Sequence, residues 1–271
     1  MDTSSYSYFD VSVEDRIALL RFSRPEKMNS CTIDQHTELP RVLRELQADP
    51  EVSAAVVTGS GESFSIGGDY NLLEQTYRNE NGELDRVIDD GRELVHAHVE
   101  LDKPIIAAIN GYAMGAGAAF GLLCDVIIIE HGVRIADGHI RAGIAAGDGG
   151  TLAWPLAVGV VKAKRYLLTG DWITAEEAER IGLATEVVEP GKSLERAMEY
   201  ARRFVNGPQQ AIRATKRAVN DWLRLGVTVT FDHSLALEGL TMRSEDAARA
   251  IEKLRDTGKG AMPPDPAAPS R

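Results

Sequence analysis

Few cysteines, no long apolar run and a shortage of positive charge set the first limits on this sequence. Cys31 and Cys124 are the two cysteines of 271 residues. They have no metal-ligand spacing and no disulfide framework to staple, so buried free thiols are expected. No apolar stretch approaches the ~20 residues that a membrane span requires, and the opening MDTSSYSYFD lacks the basic and apolar regions of a signal peptide. A cytoplasmic protein is therefore expected, with no membrane among its partners. With 30 Lys and Arg against 41 Asp and Glu the net charge is -11, which repels phosphate backbones over most of the surface and argues against nucleic acid as a partner. A small phosphorylated ligand would need local cations, and Arg24-Pro25-Glu26-Lys27 is the first segment to offer them near a turn.

What is present is a 44% hydrophobic content, enough for one main domain with an appendage. Alternation from Phe9 to Val13 and the apolar run Ile17 to Phe22 predict a hairpin turning at Glu14-Asp15-Arg16. Thr32 or Asp34 is placed to cap a helix running to Leu46, with Leu39, Val42, Leu43 and Leu46 on one face and Pro40 as an early start or a distortion. Ala54 to Thr58 reads as a strand, Gly59 to Asp69 as a glycine-rich loop leading to a short helix, and Asp85 to Leu101 as a longer helix. The pattern then recurs as strand Pro104 to Asn110, glycine loop Gly111 to Gly117, short helix to Cys124 and strand Val126 to Glu130. Such βα turns stacked in a spiral fit an α/β fold whose parallel sheet is covered on both faces. From Leu194 the chain reads as helical, over Leu194 to Asn206, Pro208 to Leu225 and Phe231 to Leu254, the last bent near Gly239. Gly258 to Arg271, rich in Gly, Pro and Ala, reads as a disordered tail.

Each glycine loop joins the end of a buried strand to a helix start, where backbone N–H groups lack intrahelical partners and the dipole favours negative charge. Two such loops converging would make a donor pair for a carbonyl oxygen becoming an oxyanion. The plainer alternative is that Gly67, Gly68, Gly115 and Gly117 only permit tight turns and close helix packing. Gly115-Ala116-Gly117 with Gly121, and Glu130 closing the next strand, also imitates a dinucleotide fingerprint. The helix between is too short for that motif, the acid arrives early and Phe120 takes its third glycine position.

Three segments carry a resemblance to the crotonase (enoyl-CoA hydratase/isomerase) superfamily. Arg24-Pro25-Glu26-Lys27-Met28-Asn29 resembles its RPxxxN segment, Phe64-Ser65-Ile66-Gly67-Gly68-Asp69 its FSAGAD loop, and the stretch from Lys103 through Asn110-Gly111 to Gly115-Ala116-Gly117 its KPxIAAxNGxAxGGG block. Cys124-Asp125, Leu168-Thr169-Gly170, Ala175-Glu176-Glu177-Ala178 and Gly182-Leu183 keep the family order, so the likeness spans Arg24 to Glu189. The resemblance implies a spiral core of ββα units over residues 1–193, a helical region over 194–257 that builds trimers or dimers of trimers, and the tail at 258–271. It implies an acyl-CoA thioester as substrate, coenzyme A being part of that substrate, with no other cofactor and no metal. By position, Gly68 and Ala116 would supply the oxyanion-hole amides, and Arg24, Lys27, Met28, Ser65, Ile66, Gly67, Asp69 and Gly115 would line the substrate site.

The sequence departs from family hydratases, which use two glutamates to add water. Ala119 stands at the first of these positions and His139 at the second. Paired-carboxylate water activation is therefore not expected in its usual form. His139, with a pKa near neutrality, and Asp148, where superfamily dehalogenases, dienoyl-CoA isomerases and naphthoate synthases place a catalytic aspartate, become the candidate catalytic pair. The bland alternatives are a His139 bonded to a buried carbonyl and an Asp148 capping the helix that starts near Gly150. A His-Asp pair here also resembles the superfamily's β-diketone hydrolases, which cleave carbon-carbon bonds without CoA, and a catalytically silent scaffold is the reading outside enzymes. Glu238 is expected to serve packing or subunit contact, Asp69 to bond backbone amides, and Trp154 and Trp172 to be core or rim. His96 and His98, two apart on a helix, face different directions and make no metal pair.

Overall fold

The computed structural model describes residues 3–257; the tail expected at 258–271 lies outside them. In chain order the strands are β1 (Phe9–Glu14), β2 (Ile17–Phe22), β3 (Ala54–Thr58), β4 (Ser63–Ser65), β5 (Ile105–Ile109), β6 (Tyr112–Met114), β7 (Val126–Glu130), β8 (Arg134–Ala136), β9 (Ile173–Thr174) and β10 (Glu186–Val188). The helices are α1 (Ile33–His36), α2 (Glu38–Ala48), α3 (Tyr70–Arg78), α4 (Glu83–Glu100), α5 (Gly115–Leu122), α6 (Gly150–Val158), α7 (Val160–Thr169), α8 (Ala175–Ile181), α9 (Ser193–Val205), α10 (Gln209–Gly226), α11 (Asp232–Thr241) and α12 (Glu245–Thr257).

One sheet has the order β1-β2-β3-β5-β7-β10 and a second the order β4-β6-β8-β9. The chain therefore visits the first sheet, then the second, then a helix, as in β5, β6 and α5, which is a ββα spiral. The predicted hairpin forms, with Glu14 opposite Ile17. Its turn residues Asp15 and Arg16 both have positive φ, 49° and 65°, the two-residue geometry whose twist matches that of the strands. Every residue of β3 and β5 is buried, because both faces are covered. Ala54, Val56, Ile106 and Ala108 meet Ala197 and Ala201 of α9 on one side, while Ala55, Val57, Ala107 and Ile109 join the larger core with Phe22, Phe64 and Phe120 on the other. Period-two alternation between two apolar layers leaves almost no polar position, hence the continuous apolar runs.

Several expectations need correction. β4 and β6 lie inside the segments read as glycine loops, since three-residue strands are too short to show a period. Thr32 does cap a helix, reciprocally with Gln35, but that helix ends at His36. A second begins at Glu38, which puts Pro40 in a first turn, where its missing N–H is harmless. The break expected between Leu225 and Phe231 is absent: α10 continues through the π-helical turn Val227–Phe231 into α11. The interruption expected near Gly239 falls instead after Thr241 and before Glu245. Glu130, which imitated a ribose-binding acid, accepts hydrogen bonds from Gly191 N (2.8 Å) and from Ser193 N and Oγ (3.2 and 2.6 Å), anchoring the start of α9. Cys31 and Cys124 are buried free thiols, as expected. No helix among the described residues is long and apolar enough to cross a membrane.

Candidate active site

Two loops are pressed together at one end of the spiral. The first follows β4, and its backbone is held on both sides of Gly68: Cys31 N donates to Gly67 O and Asp69 N to Cys31 O, each at 2.9 Å. Asn29 fixes the neighbouring turn, its side chain donating to Ser60 O (2.9 Å) and Ser63 O (2.8 Å) and accepting from Arg24 N (3.0 Å). Asp69 accepts from Leu72 N (3.0 Å) and so caps α3, the amide-bonding role expected of it. The second loop turns from β6 into α5 at Gly115, where φ is +54°. Contact between the loops is close enough to exclude side chains. A Cβ on Gly117 would lie 2.4 Å from Ser65 O, and one on Gly67, itself at φ +79°, 3.1 Å from Ala116 N.

Gly68 and Ala116 both line a cavity of about 560 Å³. Ala116 is the second residue of α5, so its amide has no acceptor one turn earlier. The Gly68 amide likewise donates to no protein acceptor among the described residues. Arg24, Lys27, Met28, Ile66, Asp69 and Gly115 also reach the cavity. Ser65 and Gly67 do not, which corrects their assignment to the substrate wall. Ser65 is completely buried, and its hydroxyl bonds Asn29 O (2.8 Å) and accepts from Gly67 N (3.3 Å), so it supports the loop from behind. Arg24 Nη1 is engaged by Ser30 O (2.7 Å) and Gln35 Oε1 (2.9 Å), whereas the exposed Lys27 has no ion-pair partner among the described residues.

A cluster of ionisable side chains shares this cavity with the amides. His139 opens a 3-10 turn, and its ring carbon Cε1 lies 3.9 Å from where a Gly115 Cβ would stand. Its Nδ1 is 2.8 Å from Asp137 Oδ1, and its Nε2 is 3.4 Å from Asp148 Oδ2 and 3.9 Å from Glu238 Oε1. His139 thus meets carboxylates rather than a buried carbonyl. Asp148 is not a helix cap: Gly149 holds that position in α6, with no side-chain cap bond. Asp148 Oδ1 and Glu238 Oε2 are both buried without hydrogen-bond partners among the described residues. Glu238 comes from α11, which approaches because residue 147 is glycine; a Cβ there would lie 2.5 Å from the Glu238 Cβ.

Burial alone would lower the His139 pKa, but the carboxylates of Asp148 and Asp137 overcome it and hold the imidazole well above its usual range. This corrects the expectation of a pKa near neutrality. Burial pushes Asp148 up, yet the His139 charge prevails and leaves it below the usual carboxylate range. Glu238 is driven well above that range, first by burial and then by the charge of Asp148. The cluster thus favours a charged imidazole and an ionised Asp148 beside a Glu238 carboxyl biased toward its neutral form.

A stability prediction follows for Glu238. The folded state holds a proton that the unfolded chain loses near pH 4.5, so stability contributed by the protonated form is present below that pH and is lost as pH rises toward the raised folded pKa. Glu238→Gln mimics the neutral acid and removes the loss. The variant is expected to melt a few degrees above wild type at pH 8 and close to it at pH 4, since ~1 kcal/mol moves Tm by about 2–4 °C in chains of this size. Equal or lower stability of the variant at pH 8 contradicts a protonated Glu238.

Sequence reading assigned Glu238 to packing and passed over Asp137. The signal for Asp137 was an Asp two residues before a His in a loop, a spacing that lets one carboxylate accept from both the backbone and the ring of that His. His96 and His98 diverge as expected. His98 is buried edge-on against Phe120 at 4.7 Å, and burial pushes its pKa down to about 3. Trp154 and Trp172 are buried. Among the described residues, His139, Asp148 and Glu238 also form the group with metal-ligand proximity, their ligand atoms within 4.8 Å of one another.

The family model described as "Enoyl-CoA hydratase/isomerase" matches residues 12–258, nearly the whole chain. The chain belongs to the enoyl-CoA hydratase/isomerase family. It is 31% identical over 260 residues to a crotonyl-CoA hydratase of Syntrophomonas wolfei, covering 94% of this chain and 97% of that protein. To a short-chain-enoyl-CoA hydratase of Clostridium acetobutylicum it is 33% identical over 254 residues, covering 90% and 95%. A crystal structure of an enoyl-CoA hydratase/isomerase from Mycobacterium paratuberculosis superposes with a TM-score of 0.89 at 34% identity, covering 93% of this chain and 100% of the other. The crotonase fold anticipated from the motifs is thus the fold observed. Within this enoyl-CoA hydratase/isomerase family chain the helical region is no mere appendage, because α9 covers the main sheet and α11 delivers Glu238 to the cavity.

Proposed function

We propose that this enzyme binds an acyl-CoA thioester, polarises its carbonyl with the Gly68 and Ala116 amides, and moves protons through Asp148, His139 and Glu238. The observation that carries this reading is the placement of two unpaired amides and a base-acid pair on one cavity. Amides held in place before the reaction stabilise the negative charge that develops on the thioester oxygen, at roughly 3 kcal/mol per donor. Asp148, kept ionised by His139, is the base that takes a proton from substrate carbon or from water. Glu238, kept protonated by burial, is the acid that returns one. Addition of water and migration of a double bond both need such a pair. The carboxyl groups that hydratase relatives would carry at the positions of Ala119 and His139 are, on this reading, replaced by Asp148 and Glu238, both of which approach the His139 ring.

Lys27 and Arg24 at the mouth supply local positive charge for the CoA phosphates in an otherwise acidic chain. Lys27→Ala is expected to weaken CoA-thioester binding about fivefold, the worth of ~1 kcal/mol at an exposed site. An unchanged Kd in calorimetry places the phosphates elsewhere. Self-association into a homotrimer or a dimer of trimers is supported by exposed apolar side chains along the C-terminal helices, including Trp222, Val229 and Leu240.

The experiment that tests the function is a screen of purified protein against 2-enoyl-, 3-enoyl- and 3-oxoacyl-CoA thioesters, with mass detection of hydrated, isomerised and hydrolysed products. Turnover of at least one thioester is expected. Crotonyl-CoA hydration should be at least about a hundredfold slower than by a two-glutamate hydratase, the lower end of general acid-base contributions. No product from any thioester sinks the proposal.

A further inference from the structure

The cavity has a second histidine beside a carboxylate, unused by the chemistry above. His36, the last residue of α1, lines the same cavity as the amides and Glu238. Its Nδ1 is 3.7 Å from Asp90 Oδ2 on α4, and both side chains are almost fully buried. Both atoms are out of contact with solvent and lack a hydrogen-bond partner among the described residues. The Nδ1 edge of His36 is thus turned toward Asp90 and away from solvent, as the Nδ1 edge of His139 is turned toward Asp137. Asp90 neighbours Gly91, where a Cβ would lie 3.9 Å from the Asp148 Cβ, so α4 passes directly behind the catalytic aspartate.

The surrounding wall is apolar, formed by Leu72, Val87, Ile88, Leu235 and Met242. A buried imidazole in such a wall is left unsatisfied by a plain hydrocarbon chain and satisfied by a chain that brings an oxygen to it. Asp90 stands beside the histidine and Asp148 lines the same cavity, so an incoming carboxylate would meet like charge, whereas a neutral hydroxyl or keto oxygen would not. We propose that His36, oriented by Asp90, forms a second polar subsite that selects acyl chains bearing a neutral oxygen, hydroxyl or keto, beyond the thioester carbonyl. His36 sets specificity and Asp90 is a positioning residue. The inference rests on the acyl-CoA reading above.

Calorimetry with hexanoyl-CoA, its 4-, 5- and 6-hydroxy and 4- and 5-oxo counterparts, and adipyl-CoA tests it. Wild type is expected to bind at least one oxygenated chain tenfold or more tighter than hexanoyl-CoA, with adipyl-CoA weakest. His36→Leu should abolish that preference while binding hexanoyl-CoA as well as wild type or better. His36→Gln, which keeps a donor and guards against a misfolded Leu variant, should retain part of it, and Asp90→Asn should reduce it. Equal affinities in wild type, or a preference that survives in His36→Leu, overturns the subsite and leaves the acyl-CoA reading standing. Failure of hexanoyl-CoA and every other thioester to bind overturns both.

Discussion

Asp148→Asn is expected to lower turnover of the true substrate by at least about a hundredfold, with ligand affinity little changed. Asn keeps the size and much of the hydrogen bonding but cannot take a proton or balance the His139 charge. The structure sharpens this test, because Asp148 caps no helix and its Oδ1 has no protein partner to lose. His139→Gln should be comparably damaging for a different reason. It removes the positive charge that keeps Asp148 ionised among buried carboxyl groups, so the base becomes a neutral acid and the pH profile of kcat/KM moves upward. Near-wild-type rates in both variants would leave only the two amides in the mechanism.

Ala116→Pro is expected to cost a factor of about 10²–10³ in kcat, the loss associated with one oxyanion donor, whereas Ala116→Gly should be tolerated. The group expected to act at 116 is the amide, not the methyl group. Proline suits the first turn of a helix, and Ala116 is the second residue of α5. Gly67 packs against this nitrogen, so melting curves must accompany the kinetics. A folded Pro variant with full activity removes Ala116 from the mechanism.

The legibility of the sequence followed the length of its signals. Strands β2, β3, β5 and β7 were readable because two apolar layers make nearly every position hydrophobic. The second sheet was not, since β4, β6 and β8 have three residues each and their positions are set by close packing of Gly111 and Gly117 on neighbouring backbone. The glycine loops could be recognised from motifs, and the structure puts Gly68 and Ala116 together on one cavity. Glu238 was legible only as a polar residue on a helix. What turns it inward is tertiary: the continuous passage of α10 through a π-helical turn into α11, and the lack of a side chain at Gly147. No spacing in the sequence announces that His139, Asp148 and Glu238 meet, because the last lies 90 residues beyond Asp148 along the chain. Charge states were beyond sequence for the same reason. An isolated histidine titrates near pH 6.5, and only the two facing carboxylates raise His139 above that.

The most direct test of the central claim is calorimetric titration of the full chain with a saturated acyl-CoA beside a CoA-free cyclic β-diketone. Both glycine loops, the cationic mouth and the cavity of about 560 Å³ lead to the same expectation. The thioester should bind with a Kd in the micromolar range, about -8 kcal/mol, and the diketone at least about a hundredfold more weakly, lacking the phosphates that Lys27 and Arg24 would hold. Tight binding of the diketone with no measurable binding of the thioester would contradict the account.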